Sequence, residues 1–479
     1  MSEGSVLINR AGNDVSHRKN SDDSFSCHAK APARRVKTRS MKWMYAVYIF
    51  LLGGLLFFIA FVTKHLEQTS PKKVNTITRA NWKTKTALRL EEISEPRDKG
   101  IIMCMNDESV PMGLSLVREL RCLGNQELIQ VYHCFRDEIS NSSISLLLEV
   151  DENLEIVDAC SDLVQRGLLT ENKARHFRSW WIKPLAMYHT HIKEVLLLDV
   201  DDIFMRDPAV LRTTEGYERT GTTFFYDRVL SSNEFFNQDI NGTQYLQHLL
   251  NTFDYEHYGL PPGLSPSPHL DPNTSFVWTR QTSHEQDSSL VAIDKSRAGQ
   301  AINVMFYLIT EQRFIREFSY GDKETFWISF ELAKQEYFFS PWGVGDISSS
   351  TNRDMEKHND SLCGSIVQYM PVQDSVAEFL YVNGKALLNP FPVPIEKLGE
   401  VSRNVLFNIN PTHLTPRQKR RPNGSSKTEY TGTYAMECLI GFGAEPLPSK
   451  FAYILMRRRM FYTGISMGIL SGLDQCLLK

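Results

Sequence analysis

An apolar run that ends in a cluster of acids, EVLLLDVDDIFMRDP at residues 194–208, constrains the fold more than any other feature of the chain. The apolar residues predict a buried central β-strand, and four acids follow within nine positions, at Asp199, Asp201, Asp202 and Asp207. Carboxylates at the end of a buried strand are unfavourable unless a ligand or a counter-charge compensates them. Because ligands bind beyond the carboxyl ends of strands in open parallel sheets, this segment predicts a binding site.

Strands and helices alternate on both sides of this run. The segments IIMCM, ELIQVYHCF and LEIVDAC are predicted strands, and VPMGLSLVRELRCLG is a predicted helix with Pro111 in its first turn and Gly124 at its end. The stretch NKARHFRSWWIKPLAMYHT predicts a helix that breaks or kinks near Pro184. This alternation predicts an α/β fold with a mainly parallel central sheet flanked by helices. Residues 229–283 are predicted to be a loop-rich insertion.

Composition bounds the class of protein. The 479 residues are 42% hydrophobic, which is enough for a large buried core. Nine Lys and Arg residues against four Asp and Glu give residues 1–43 a net charge of +5, so the rest of the chain carries −8 of the total of −3. This acidic body argues against nucleic acid as a partner.

Residues 44–62 are nineteen uncharged, mostly apolar residues. As a helix with a rise of about 1.5 Å per residue they match the roughly 30 Å of a bilayer core, which predicts one transmembrane helix; a buried core helix is the alternative. Basic residues are denser before this segment than after it, which places the N-terminus in the cytosol. The predicted order is a cytosolic basic tail (1–43), a transmembrane anchor (44–62), a lumenal stem (63–98) and a lumenal catalytic domain (99–479).

The predicted lumenal part has features of the secretory pathway. It carries five N-x-S/T sequons, at Asn141, Asn241, Asn273, Asn359 and Asn423. Of the eight cysteines Cys27 is on the cytosolic side, so seven lie in an oxidising compartment, and at least one of them stays free or pairs between chains. No Cys/His spacing indicates a structural zinc. The apolar C-terminal segment is interrupted by Arg457 to Arg459 and is not predicted to span a membrane.

The pair of acids at Asp199 and Asp201 predicts a metal site. Two carboxylates one residue apart, on a turn that leaves a strand, can hold a hard divalent cation, which then takes the oxygens of a diphosphate. A calcium EF-hand is excluded, because Ile203 and Phe204 stand where that loop needs an oxygen ligand and a glycine. Two alternatives stay open: a haloacid-dehalogenase-type phosphatase with Asp199 as nucleophile, and acids that only cap a turn. Asp207 with Pro208 is expected to shape the exit turn.

Several motifs, in order along residues 100–390, resemble one enzyme family. They are KPLAMYHTHIKEVLLLDVDDIFMRDP (183–208), GTTFFYDR (221–228), EQDSSLVAIDKSR (285–297), YGDKETFWISFELA (320–333), LCGSIVQY (362–369) and YVNG (381–384). In these segments the chain is similar to the fungal Golgi alpha-1,3-mannosyltransferase family, glycosyltransferase family 71. The resemblance implies a GT-A type nucleotide-sugar-binding fold, a GDP-mannose donor, a Mn²⁺ ion and retention of the anomeric configuration.

The same resemblance implies roles for particular residues. Asp199 and Asp201 are the expected metal ligands, and Asp322 and Asp287 are the expected catalytic residues, with Asp322 near the anomeric carbon. Donor binding is expected from Lys183, Asp199, Asp227, Arg228 and Gln286. Gln286 and Asp287 are expected to precede the strand SLVAID, and Asp322 is expected to precede a helix. Structural alternatives are a surface position for Lys183, a plain salt bridge for Asp227 and Arg228, and a solvated turn position for Asp202. The third metal ligand is unassigned, because Tyr381 stands where related enzymes have His; the candidates are Asn383, Gln368 and His413.

Taken together, the sequence predicts a type II membrane glycosyltransferase of the Golgi, behind a single N-terminal transmembrane helix. It would transfer a hexose, mannose from GDP-mannose, with retention and in alpha linkage, to a glycan or glycoprotein acceptor. The alternatives are the phosphatase and a lumenal protein that binds sugars or acts as a scaffold without catalysis.

Overall fold

The structure is a computed structural model, and it describes residues 97–263, 267–348, 360–374, 376–389, 410–422 and 438–469 together with Cys476. The predicted cytosolic tail, the transmembrane anchor and nearly all of the predicted stem lie outside these residues. Within the described ranges, no helix is both long enough and apolar enough to cross a membrane.

The secondary structure alternates as the sequence predicts in its first half and becomes irregular later. The helices are α1 (Val110–Cys122), α2 (Asn141–Val150), α3 (Ala159–Gln165), α4 (Glu171–Arg175), α5 (Ile182–His189), α6 (Glu215–Thr220), α7 (Tyr245–Thr252), α8 (Ala301–Tyr307), α9 (Arg313–Ile315), α10 (Thr325–Leu332), α11 (Lys385–Leu388) and α12 (Ser449–Ser466). The strands are β1 (Lys99–Cys104), β2 (Leu128–His133), β3 (Leu154–Asp158), β4 (Glu194–Leu198), β5 (Asp202–Phe204), β6 (Thr222–Tyr226), β7 (Asp239–Ile240), β8 (Thr243–Gln244), β9 (Gln286–Asp294), β10 (Gly345–Ser348), β11 (Leu362–Cys363), β12 (Ser365–Tyr369), β13 (Phe379–Asn383), β14 (His413–Leu414), β15 (Cys438–Leu439) and β16 (Glu445–Pro446).

Six strands form the first sheet, in the order β3-β2-β1-β4-β9-β6. The strands β3, β2, β1 and β4 run parallel, and β9 runs antiparallel to both β4 and β6. The carboxyl ends of β1, β4 and β6 therefore meet the amino end of β9 at one edge of the sheet. The predicted α/β fold with a mainly parallel sheet is confirmed, and Asp199 lies at this edge, directly after β4.

Each strand of the first sheet buries both of its faces. Because successive side chains point to opposite sides, Val195 and Leu197 pack with α5, α8 and α10, whereas Leu196 and Leu198 pack with α1. β1 alternates in the same way, with Ile102 on the first side and its neighbours on the other. Helices on both faces explain why these strands are continuous apolar runs rather than alternating ones.

The chain passes from the first sheet into a second one within the acidic segment. β4 ends at Leu198, and β5 begins at Asp202 as the edge strand of a sheet with the order β16-β14-β10-β12-β13-β5. β5 pairs antiparallel with β13, so that Asp202 lies opposite Asn383. Residues 199–201 form the whole link between β4 and β5, and both ends of this turn are held by strands.

Two predicted boundaries are wrong. The stretch NKARHFRSWWIKPLAMYHT forms two helices, α4 and α5, and the break lies before α5, where Ser179 has a φ of 98°. Pro184 lies in the first turn of α5, where its missing N–H leaves no helical bond unmade. Gln286 and Asp287, predicted to precede a strand, form the start of β9.

Three disulfides join Cys122 to Cys476, Cys134 to Cys160 and Cys363 to Cys438. Of the cysteines in the described residues, Cys104 at the end of β1 is free. The prediction that at least one cysteine after residue 62 is left outside intramolecular pairing is confirmed.

The C-terminal helix α12 packs on α1. Phe461 and Ile465 join the apolar cluster on the α1 side of the sheet. Arg457 Nε donates to Glu119 Oε2 at 2.9 Å, and Arg458 is fully buried. The arginines that exclude a membrane span therefore serve in part to attach this helix to the domain.

Candidate active site

A cleft of about 270 Å³ lies at the edge where β1 and β4 end, beside the loop that precedes α5. Asn106 follows β1, Trp180 and Lys183 flank the start of α5, and Asp199 and Asp201 follow β4, and all five line the cleft. Concave sites with a few convergent polar groups are where small ligands bind. The structure thus brings three of the predicted site residues, Lys183, Asp199 and Asp201, into one cleft.

Lys183 connects three parts of the chain beside this cleft. Its Nζ lies 2.9 Å from Asp199 Oδ1 and 3.2 Å from Asp322 Oδ2. The same ammonium donates to the Ser288 carbonyl oxygen at 3.2 Å. The Lys183 side chain is 6% exposed, whereas 29% of the Asp199 side chain reaches solvent. The alternative of a surface lysine is therefore wrong, and Lys183 is a buried counter-charge.

The electrostatics of this group follow from its burial. Burial raises the pKa of Asp199, with Lys183 opposing the rise and the charge of Asp201 adding to it. Burial also raises the pKa of Asp322, again against Lys183. Burial alone would lower the pKa of Lys183, but the carboxylates of Asp199 and Asp322 raise it above its usual value. One ammonium thus serves several acids, and the cleft keeps an excess of negative charge.

Asp202 is a buried part of the turn. Its Oδ1 accepts a hydrogen bond from Asn383 Nδ2 at 3.0 Å, and the same amide donates to Asp201 Oδ1 at 3.1 Å. Burial raises the pKa of Asp202, and among the described residues its Oδ2 has no hydrogen-bond donor. The alternative of a solvated turn residue is wrong. Asp207 shapes the exit turn as predicted, because its Oδ1 accepts from Ala209 N at 2.9 Å.

Arg458 of α12 supports the acidic turn from behind. Its guanidinium donates to the carbonyl oxygen of Val200 at 2.7 Å and to that of Met112 at 3.0 Å. Burial lowers the pKa of Arg458 to about 10, so it remains a cation at neutral pH. The residue between the two predicted metal ligands is therefore held by a charge-assisted hydrogen bond.

Asp287 lies on β9 and faces the second sheet. Its Oδ2 accepts from Gln368 Nε2 at 2.8 Å and from Tyr381 Oη at 3.2 Å, and its Oδ1 accepts from Ser289 N at 3.1 Å. Neutral donors from three strands thus satisfy this buried carboxylate. Its catalytic role stays a prediction.

Gln286 is also fully buried at the start of β9. Its Oε1 accepts from Trp327 N at 3.2 Å, which joins β9 to α10. Within the described part of the chain, its Nε2 has no hydrogen-bond acceptor. Its role in donor binding stays a prediction.

Asp227 and Arg228 directly follow β6, and their side chains contact different parts of the chain. Asp227 forms an ion pair with Lys323, the residue after Asp322. Burial favours the neutral acid, but Lys323 outweighs it and holds the pKa of Asp227 at about 2. Arg228 Nη2 lies 2.6 Å from Asp346 Oδ1 on β10. The structure therefore brings Asp227 to the Asp322 segment and Arg228 to the second sheet, and their donor-binding roles stay predictions.

The three candidates for a further metal ligand occupy different places. Asn383 contacts Asp201, whereas Gln368 Nε2 donates to Asp287 and to the Tyr226 carbonyl at 2.9 Å, and His413 contacts Thr412. No three His, Cys, Asp or Glu side chains of the described residues converge as a complete ligand set. Asp199 and Asp201 nevertheless fit a hard divalent cation, because both are oxygen donors in an acidic cleft that leaves room for ligand oxygens from a substrate.

Sequence reasoning missed several residues of the site. Lys323 follows Asp322 directly. Its position next to a predicted catalytic acid is the one feature of the sequence that indicates it. Ser288, Tyr381 and Arg458 lie in segments with a recognisable sequence pattern, but their contacts join residues up to 258 positions apart. A pattern read along the chain does not contain such pairings.

Comparison with known proteins identifies the class of protein. The profile of the family described as "Mannosyltransferase putative" matches residues 98–370. Because this match covers more than half of the chain, the chain belongs to that family. The resemblance to alpha-1,3-mannosyltransferases seen in the motifs is confirmed.

Individual relatives come from Saccharomyces cerevisiae. "Probable alpha-1,3-mannosyltransferase MNT4" is 24% identical over 62% of this chain and 51% of its own length. "Alpha-1,3-mannosyltransferase MNT2" is 21% identical over 55% of this chain and 47% of its own length. The chain thus spans about half the length of these curated relatives. Among solved structures, the mannosyltransferase Ktr4p from S. cerevisiae matches 52% of this chain and 70% of its own at 10% identity with a TM-score of 0.32, too low to establish a shared fold.

Proposed function

We propose that this chain is a retaining, metal-dependent mannosyltransferase with a GT-A type fold, which transfers mannose from GDP-mannose in alpha linkage to a glycan or glycoprotein acceptor. The observation that carries the proposal is the contact of the Lys183 ammonium with Asp199 and Asp322, beside a cleft that also exposes Asp201. The family of the chain and the names of its relatives support mannose as the transferred sugar and the alpha linkage.

The donor diphosphate would bind where the acidic turn and Lys183 meet. Asp199 and Asp201 would hold Mn²⁺, which when bound supplies positive charge to the departing diphosphate. Lys183 is a compact cation fixed by two carboxylates and the Ser288 carbonyl oxygen, so its position does not depend on the ligand. Arg458 and Asn383 hold the turn that carries the two metal ligands.

Asp322 would lie beside the anomeric carbon of mannose. The bond from that carbon to the diphosphate oxygen breaks, GDP leaves, and a bond to the acceptor oxygen forms on the same face. Two routes lead to retention. In one, a carboxylate would attack the anomeric carbon as GDP leaves, and the acceptor oxygen would then displace that carboxylate and give its proton to the diphosphate. In the other, departure and attack would occur on one face, with the diphosphate taking the acceptor proton. In both routes the contact with Lys183 favours the ionised form of Asp322.

The topology is part of the same proposal. The apolar segment 44–62 with its preceding basic residues supports a type II anchor in the Golgi membrane, and the sequons after it support a lumenal catalytic domain. Protease protection in sealed microsomes, with an epitope tag at each terminus, tests the orientation. Digestion of the C-terminal tag and protection of the N-terminal tag would show the opposite orientation and contradict this part of the proposal.

The activity is tested with the purified full-length chain, a panel of nucleotide sugars and a panel of oligosaccharide acceptors. We expect transfer or donor hydrolysis with GDP-mannose, loss of both after chelation, and recovery with Mn²⁺. Asp201→Asn should lose activity by about 10²-fold or more, and Asp207→Asn is the matched control, because Asp207 belongs to the same segment but contacts Asn125 and Ala209 instead of the cleft.

Three results would reject the proposal or part of it. Equal activity of wild type and Asp201→Asn would remove the metal assignment. Release of phosphate from simple phosphoesters would favour the phosphatase. Binding of sugars with no turnover of any nucleotide sugar would favour a non-catalytic sugar-binding protein.

A further inference from the structure

Two neighbouring aromatic side chains are exposed, and one of them lines the cleft. Trp180, which lines the cleft, is 54% exposed, and Tyr320 is 52% exposed. Their ring centroids are 5.5 Å apart with an angle of 40° between the planes. Large aromatic rings left open side by side next to a polar cleft mark a binding surface, because burying them elsewhere would stabilise the fold. We call this pair of rings the aromatic platform.

The aromatic platform is held in place although it is exposed. Tyr320 packs edge-on against Phe235 at 6.2 Å and against His284 at 6.0 Å between centroids. Gly321 has a φ of 66°, and a Cβ atom there would come within 3.0 Å of the Trp180 ring. A glycine at this position thus lets the backbone approach the indole closely. Rings fixed in this way lose little conformational entropy when a ligand binds.

The two loops that carry the platform also carry the proposed catalytic group. Trp180 is three residues before Lys183, and Tyr320 is two residues before Asp322. Lys183 and Asp322 are themselves 3.2 Å apart between Nζ and Oδ2. A ligand on the rings would therefore lie next to the place proposed for the anomeric carbon.

We propose that the aromatic platform binds the acceptor, by stacking the apolar face of its terminal hexose on the rings of Trp180 and Tyr320. A pyranose presents C–H groups with partial positive charge on one face, and the faces of aromatic rings are electronegative. The hydroxyl groups at the edge of that sugar would then point toward Lys183 and Asp322. This inference rests on the proposed function, because it names the second substrate of the same site.

The test uses the full-length chain and mannobiose, cellobiose and lactose as acceptors. For the acceptor that binds best, we expect Trp180→Ala and Tyr320→Ala each to raise the acceptor KM about tenfold, while the donor KM changes less than about twofold. Tyr320→Phe keeps the ring and should keep the acceptor KM of wild type. Phe314→Ala is the matched control, because Phe314 is an exposed aromatic residue that packs on His176 outside the cleft.

Calorimetric binding of the same disaccharide, without donor, separates this inference from the proposed function. Binding that disappears in Trp180→Ala supports the platform even if no nucleotide sugar is turned over, in which case the proposed function fails alone. Binding and acceptor KM equal to wild type in the double variant Trp180→Ala/Tyr320→Ala would overturn the platform. A donor KM that rises as much as the acceptor KM would also overturn it, because the rings would then hold the nucleoside of the donor. Melting temperatures of all variants report whether they are folded.

Discussion

Two buried acids on opposite sides of β9 were expected to be catalytic, and the structure treats them differently. Asp322 contacts a lysine that also contacts Asp199 beside the open cleft. In the part of the chain that the structure describes, Asp287 accepts hydrogen bonds from the neutral groups of Ser289, Gln368 and Tyr381 between the two sheets. Because Asp322 is balanced by a charge next to a cleft and Asp287 is satisfied by fixed dipoles inside a sheet contact, we expect Asp322 to serve the chemistry and Asp287 the stability of the fold. The predictions below test this comparison.

The largest effect is expected for Lys183→Met. Removing the buried ammonium leaves Asp199 and Asp322 without their counter-charge, so we expect kcat with GDP-mannose to fall by about 10² to 10³-fold and the free energy of unfolding to fall by about 3 kcal/mol. Steady-state kinetics and denaturant unfolding measure the two quantities.

Lys295→Met is the matched control for that change. Lys295 is partly buried, and it donates to the backbone carbonyl oxygens of Tyr188 and Thr190 outside the cleft. We expect it to lose stability and keep kcat. A Lys183→Met variant with the kcat of the control would show that the buried ion pair does not serve the reaction.

The next effect separates the two acids directly. Asp287→Asn replaces one of the two acceptor oxygens by an NH2 group, which cannot accept hydrogen bonds, so the donors on Oδ1 and those on Oδ2 are no longer all satisfied. We expect a loss of about 2 kcal/mol in the free energy of unfolding and less than about tenfold in kcat. Asp322→Asn should show the reverse, with kcat reduced more than about 10²-fold and little change in stability. If Asp287→Asn loses kcat more than Asp322→Asn at unchanged stability, the roles of the two acids are exchanged.

A smaller effect is expected for Arg458→Lys, behind the acidic turn. Lysine keeps the charge but cannot reach both Val200 O and Met112 O with a planar group, so the turn that carries Asp199 and Asp201 should be held less firmly. We expect the Mn²⁺ concentration for half-maximal activity to rise about tenfold, with kcat at saturating Mn²⁺ close to wild type. A titration of Mn²⁺ measures this; an unchanged titration would remove Arg458 from the support of the site.

The smallest effect is a pH dependence from His284, which lies between the aromatic platform and the Asp227–Lys323 pair. Burial lowers the pKa of His284 to about 4, with Asp227 opposing and Lys323 assisting. The usual pKa of histidine is about 6.5, so as the pH falls below 6.5 the unfolded chain binds a proton at His284 and the folded chain does not. The free energy of unfolding therefore decreases as the pH falls below 6.5. Between pH 7 and 5.5 we expect about 1 kcal/mol of this loss in wild type and none of it in His284→Gln. Equal slopes of unfolding free energy against pH in the two proteins would contradict the assignment.

The elements that could be predicted were those with a strong local pattern. The apolar run of β4 and the acids after it predicted a buried strand that ends at a binding site. The structure places Lys183, Asp199 and Asp201 together in a cleft at the end of this strand. The boundaries that failed had no such pattern: the break before α5 depends on Ser179 at a positive φ, and the start of β9 depends on pairing with β4 and β6. Local sequence does not record either constraint.

The sequence by itself determined which residues can serve this site, because hydrophobic period and charge are properties of neighbouring positions. It placed carboxylates at the end of β4 and before α10, and it placed Lys183 just before the expected break at Pro184. Only the tertiary structure decided how each charge is balanced. Lys183 meets Asp322, Asn383 meets Asp201 182 positions away, and Tyr381 meets Asp287 94 positions away. Burial makes these pairings necessary, and the packing of the folded chain selects the partners, so the difference between the surroundings of Asp322 and those of Asp287 appears only in the tertiary structure.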